Sequence, residues 1–81
     1  MLPFKIGDLV KIKRNYSYSI DKNKANLQNK LGLITYVSKP KKISKTMTDY
    51  FYFHYLVDGE IYKNGGSANG ISWSLSYEVV K

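Results

Sequence analysis

A chain of 81 residues makes one domain with a single small core, burying roughly 60 to 65% of the surface its unfolded form exposes, with net stability of only a few kcal/mol. With no cysteine, neither a disulfide nor a thiolate metal site supplements that core, a composition suited to a reducing compartment. The net charge of +7 is uneven: residues 1–45 carry eleven Lys or Arg against Asp8 and Asp21, whereas residues 46–81 carry Lys63 and Lys81 against Asp49, Asp58, Glu60 and Glu78.

Pro3, Lys5 and Asp8 interrupt the first residues before any apolar run reaches the length of a signal-peptide core, and no stretch is long and apolar enough to span a bilayer. Neither export through a signal peptide nor membrane insertion is expected. All but one of the basic residues are Lys, and Arg14 is the exception, which weakens a base-reading role because Arg is the bidentate reader of guanine and phosphate. Lys, Asn, Ile and Tyr make up 33 of the 81 residues and have A/T-rich codons, a second source for the lysine excess.

In chain order, Phe4 and Lys5 lead into a Gly7-Asp8 turn and a first strand with Val10 and Ile12 inward, Lys11 and Lys13 outward. From Arg14 to Lys30 the apolar period fails, and a long loop follows with at most one or two helical turns after Asp21 as N-cap. Leu31 to Ser38 is the second strand, with Gly32 where backbones approach closely. Lys39-Pro40-Lys41-Lys42-Ile43-Ser44-Lys45 breaks it as an exposed loop.

The run from Tyr50 to Tyr62 is the strongest signal in the chain. Two apolar-alternating segments flank Asp58-Gly59, the pattern of a tight hairpin. Phe51, Phe53, Tyr55 and Val57 fill a core from one face of the first segment, and Tyr50, Tyr52, His54 and Leu56 occupy the other. Asn64 to Gly70 reads as a flexible glycine-rich loop, Ile71-Ser72-Trp73 as a resumed strand with Trp73 in the core or at its rim, Ser74 to Tyr77 as a helical turn, and Glu78 to Val80 as the last strand.

Five short strands, a long first loop and a helical turn before the last strand predict an all-β fold, a small five-stranded barrel over residues 1–81. The series Gly7-Asp8-Leu9-Val10-Lys11-Ile12, Gly32-Leu33-Ile34, Asp58-Gly59, then Trp73 with Tyr77-Glu78-Val79-Val80, resembles the SH3-like barrels over nearly the whole chain. Within that class it is most similar to small proteins of tailed bacteriophages, through a Trp before a polar turn and a final Glu-Val-Val. KOW-type modules and the small SH3-like accessory protein of photosystem I are more distant likenesses: Leu31, Leu33 and Ile34 replace basic flanks around Gly32, and the glycine-rich loop departs from the photosystem pattern. The resemblance implies a fold rather than a function, and places the protein in the cytoplasm or on a virion.

His54 is the sole histidine, and in a run of aromatic residues on a strand it reads as a packed ring rather than a general base. Asp58 and Glu60 bracket the hairpin turn and read as turn chemistry. No enzymatic activity, cofactor, metal or small-molecule substrate is therefore expected. The binding readings stay open. Tyr16, Tyr18, Tyr50, Tyr52 and His54 suit a protein-docking or assembly surface, since Tyr gives large contact area at low entropic cost. Alternatively, Lys11, Lys13, Arg14, Lys39, Lys41, Lys42 and Lys45 meet phosphate while the same rings stack on bases. A third reading leaves the tyrosines as structural cover and the 39–45 lysines as a solvated loop.

Overall fold

The computed structural model describes residues 3–42, 49–68 and 73–80. In chain order its elements are β1 (Leu9–Ile12), β2 (Ser17–Tyr18), β3 (Lys24–Ala25), β4 (Leu31–Val37), β5 (Tyr50–Val57), β6 (Glu60–Ser67), the single helical turn α1 (Trp73–Ser76) and β7 (Tyr77–Val80). The fold is all-β. Five strands form one antiparallel sheet in the order β6-β5-β4-β1-β7, which curls into a half-barrel, and β2 pairs with β3 apart from it.

The period-2 pattern of β5 organises the core. Phe51, Phe53 and Tyr55 are wholly enclosed and Val57 nearly so, joined by Val10 and Ile12 of β1, Ile34 of β4, Tyr62 of β6, Tyr77 of β7 and Phe4 of the lead-in. The rings pack mostly edge to face or tilted, as their quadrupoles favour: Phe53 and Tyr77 centroids lie 5.3 Å apart at 85°. Tyr50, Tyr52, His54 and Leu56 occupy the outer face.

Asp58 and Gly59 both take positive φ, 50° and 82°, the two-residue turn whose twist matches that of its strands. The returning strand is longer than its sequence suggests. Asn64, Gly65, Gly66 and Ser67 are not a loop but the second half of β6, paired with Phe53, Tyr52, Phe51 and Tyr50. Two rings explain the glycines: a Cβ on Gly65 would collide with the Tyr50 ring and sit 2.8 Å from the Phe51 carbonyl oxygen, and one on Gly66 would sit 3.0 Å from the Trp73 indole.

Three further expectations are corrected. The segment after Asp21 is no helix: Ser17–Tyr18 and Lys24–Ala25 pair as a small hairpin, with Lys22 at φ 66° in its turn. Ser19 Oγ accepts the Asn23 amide at 3.0 Å, satisfying backbone that a helix would otherwise use. Trp73 opens α1 rather than closing a strand, its indole N–H donating to the Ser67 carbonyl at 2.8 Å, while Ile71 and Ser72 lie outside the described residues. What crowds Gly32 is not backbone but the Tyr55 and Val57 side chains, each 3.2 Å from where its Cβ would be.

Candidate functional site

The long first connection is pinned rather than free. Ser19 bridges Tyr62, and the Ile20 amide donates to the Ile61 carbonyl at 2.9 Å, so the β2–β3 hairpin lies along the edge of β6. This builds a wall beside the outer surface of the main hairpin. Between the two runs a groove of about 570 Å³, with Tyr18, Ile20 and Lys22 on one side and Tyr50, His54, Lys63, Asn64 and Gly65 on the other.

Tyr50 is the hinge of the surface. On its far side a second groove of about 600 Å³ is lined by Tyr36, Ser38, Lys39, Lys41, Tyr50 and Tyr52. The approach to Tyr50 is fixed by a two-way backbone bridge with Lys41, at 2.7 and 2.8 Å, and its ring rests over Gly65. No carboxylate lines either groove among the described residues.

A β-bulge adds a ring to this surface. The β4–β5 register shifts between Ile34 and Tyr36, so Tyr36 faces outward, where strict alternation from Ile34 would turn it into the core. Tyr36, Tyr52 and His54 then form a triangle of rings with centroids 5.0 to 5.9 Å apart. Lys63 Nζ lies 4.7 Å over the Tyr52 ring, a cation–π contact. A hydrogen bond with Tyr52 raises the Tyr36 phenol pKa. Partial burial, then the Lys63 charge, lowers that of His54.

Of the residues picked out by sequence for docking, Tyr18, Tyr50 and His54 share the first groove and Tyr52 shares the second with Tyr50. Tyr16 stands apart, its ring covered by Lys24 Nζ at 4.3 Å. The basic set does not gather. Lys39 and Lys41 line the second groove, Lys42 is exposed beside it, Lys11 lies on the outer face of β1, Lys13 pairs with Glu78 at 3.2 Å, and Arg14 borders a separate pocket with Trp73. Lys45 lies outside the described residues, as do Ile43 and Ser44.

Sequence reasoning missed Tyr36, Ile20, Lys22 and Lys63. Lys63 was legible, since it follows the core residue Tyr62 by one and must face outward. Tyr36 was not, because its orientation depends on the bulge. Chemically, the arrangement offers half-exposed rings, two lysines and an aliphatic side chain along an open groove; no cluster of three or more metal-ligating side chains occurs among the described residues. Among the described residues, no helix is long and apolar enough to cross a membrane. No protein-family model, no curated protein and no solved structure matches this chain.

Proposed function

We propose that the chain is a non-catalytic docking module, an SH3-like barrel that holds an extended, acidic segment of a partner protein between Tyr18 and Tyr50. The SH3-like reading is supported by the strand order β6-β5-β4-β1-β7, by a first connection that carries its own hairpin, and by a helical turn entering the last strand. A small accessory role in a phage particle accords with the Trp73-to-Val80 segment and with the abundance of Lys, Asn, Ile and Tyr, residues whose codons are A/T-rich.

The observation that carries the docking reading is the meeting, in one groove without a carboxylate, of Tyr18, Tyr50 and His54 with Lys22 and Lys63. The rings supply contact area at low entropic cost, and the lysines steer an acidic segment toward them. Dispersal of the basic residues weighs against a phosphate track: Lys13 and Lys30 are in ion pairs, and Lys24 covers the Tyr16 ring away from the groove.

The test is fluorescence anisotropy with two probes, a labelled Glu- and Tyr-rich decapeptide and a labelled oligothymidylate, across salt from about 50 to 300 mM. The peptide is expected to bind saturably, with Tyr50→Ala costing about 2 kcal/mol and Lys22→Ala less than about 1 kcal/mol. Oligonucleotide binding that falls steeply with salt and is lost in Lys41→Glu/Lys42→Glu, with no peptide binding, replaces this reading with a nucleic-acid module.

A further inference from the structure

The second groove differs in chemistry from the first. The Ser38 amide donates to the Tyr52 carbonyl and Ser38 Oγ accepts the Tyr52 amide, each at 2.8 Å, before the chain closes again on Tyr50 through Lys41. Lys39 and Pro40 therefore lie together opposite Phe51 as a bulge, and Lys39 and Lys41 come to the groove beside Tyr36, Tyr50 and Tyr52.

These two lysines are not spent on the fold. Lys13 and Lys30 are ion-paired and Lys24 stands over a ring, whereas no described side chain engages Lys39 or Lys41. Asp49, next to Tyr50 in sequence, lines neither groove. Hydroxyl hydrogens add to the ammonium groups. Tyr36 and Tyr52 share one hydrogen bond, which uses one phenol hydrogen and leaves the other, and Ser38 Oγ keeps its own hydrogen while it accepts from Tyr52. The second groove is thus a set of donors with no opposing charge, where the first offers rings and the Ile20 side chain.

We propose that the partner segment docked in the first groove continues across Tyr50 into the second, with an aromatic or aliphatic residue held between Ile20 and Tyr50 and a cluster of carboxylates held by Lys39 and Lys41, an inference that rests on the docking reading itself. Tyr50 lies under the crossing because it lines both grooves. The β2–β3 hairpin, β6, β5 and the 38–41 stretch run side by side, so the crossing covers three strand spacings, roughly 14 Å. An extended chain spans that in about four residues, which sets the separation between the anchoring residue and the carboxylates.

Fluorescence anisotropy with labelled peptides reads this separation. Each peptide carries a single Tyr and a Glu triplet placed next to it, about four residues away or about eight, in both chain directions. The middle spacing in one direction is expected to bind about fivefold more tightly than the others at about 50 mM salt. Lys39→Gln/Lys41→Gln, at exposed positions, is expected to keep the native circular dichroism and to weaken that peptide about tenfold. The same variant should leave the affinity of the matching Gln-triplet peptide unchanged, because the two substitutions remove one set of contacts. If the peptides bind and Tyr50→Ala weakens them but Lys39→Gln/Lys41→Gln does not, the proposal falls while docking in the first groove stands. If no peptide binds the unaltered chain, both fall, and oligothymidylate binding that is lost in Lys39→Gln/Lys41→Gln gives the second groove to nucleic acid.

Discussion

The Tyr55 and Tyr77 hydroxyls lie 3.1 Å apart inside the core, and Asn64 Nδ2 donates to the Tyr77 oxygen at 2.8 Å. β5, β6 and β7 are thus joined by polar bonds in a largely apolar interior. Burial, reinforced by Tyr77, pushes the Tyr55 pKa far above the ordinary phenol value.

The two tyrosines are therefore unequal. Tyr77→Phe takes a partner from both the Tyr55 hydroxyl and the Asn64 amide and should cost about 1–3 kcal/mol, whereas Tyr55→Phe removes one bond from Tyr77 and should cost about 0.5–1.5 kcal/mol. Urea denaturation of the two single variants and the double variant measures this, and the double should cost less than the sum because the residues share a bond.

Gly65→Ala tests whether the second half of β6 is shaped by the Tyr50 ring. The added methyl meets that ring and the Phe51 carbonyl oxygen, 2.8 Å away, so a destabilisation of about 2 kcal/mol is expected despite the better strand propensity of Ala. Loss of peptide binding beyond the stability effect would show that Tyr50 has been displaced as well.

His54 is expected to give the fold a pH dependence. Its folded-state pKa lies below its ordinary value because burial, then Lys63, disfavours the imidazolium. The contribution is complete above an unfolded pKa of about 6.5, and is lost as pH falls from there through the lower folded value, since the unfolded chain then binds the proton more readily. Thermal melts between about pH 7 and pH 5 should show a falling midpoint that His54→Gln flattens, and NMR titration of this sole histidine gives the folded pKa directly.

Trp73 closes one end of the core, its ring against Phe4, Phe51 and Phe53 at centroid distances of 5.4 to 6.0 Å. Trp73→Ala should cost about 2–3 kcal/mol, below the range for a fully enclosed indole because part of the ring is exposed. Trp73→Phe should recover most of the packing but not the bond to the Ser67 carbonyl, leaving a deficit of about 1 kcal/mol by the same denaturation measurement.

The parts of the fold legible in the sequence are those where a local rule and the core agree. Alternation identified Val10, Ile12, Phe51, Phe53, Tyr55 and Val57 as inward, and Asp58-Gly59 fixed the turn. Sequence reading failed where a distant ring overrides local preference. Asn64 to Ser67 has the composition of a loop, yet Gly65 and Gly66 extend β6 because Tyr50 and Trp73 occupy the space their side chains would need. The proposed docking residues Tyr50, Tyr52 and His54 were visible as a second apolar face on one strand. Their neighbours Ile20 and Lys22 arrive only because Ser19 and Ile20 attach a separate hairpin to β6, a long-range pairing with no local signature.

That attachment also governs how such sheets can join edge to edge. An incoming strand cannot lie along the first residues of β6, because the Ile61 carbonyl is already bound by Ile20 and Ser19 sits against Tyr62. Among the described residues, β7 is the sheet's other edge. If two β7 strands pair, the outer edges of the joined sheet are both β6, each carrying the hairpin over its first residues. A further sheet then meets the hairpin before it can pair along the whole of β6, an obstacle to the continuous template that a growing fibril requires.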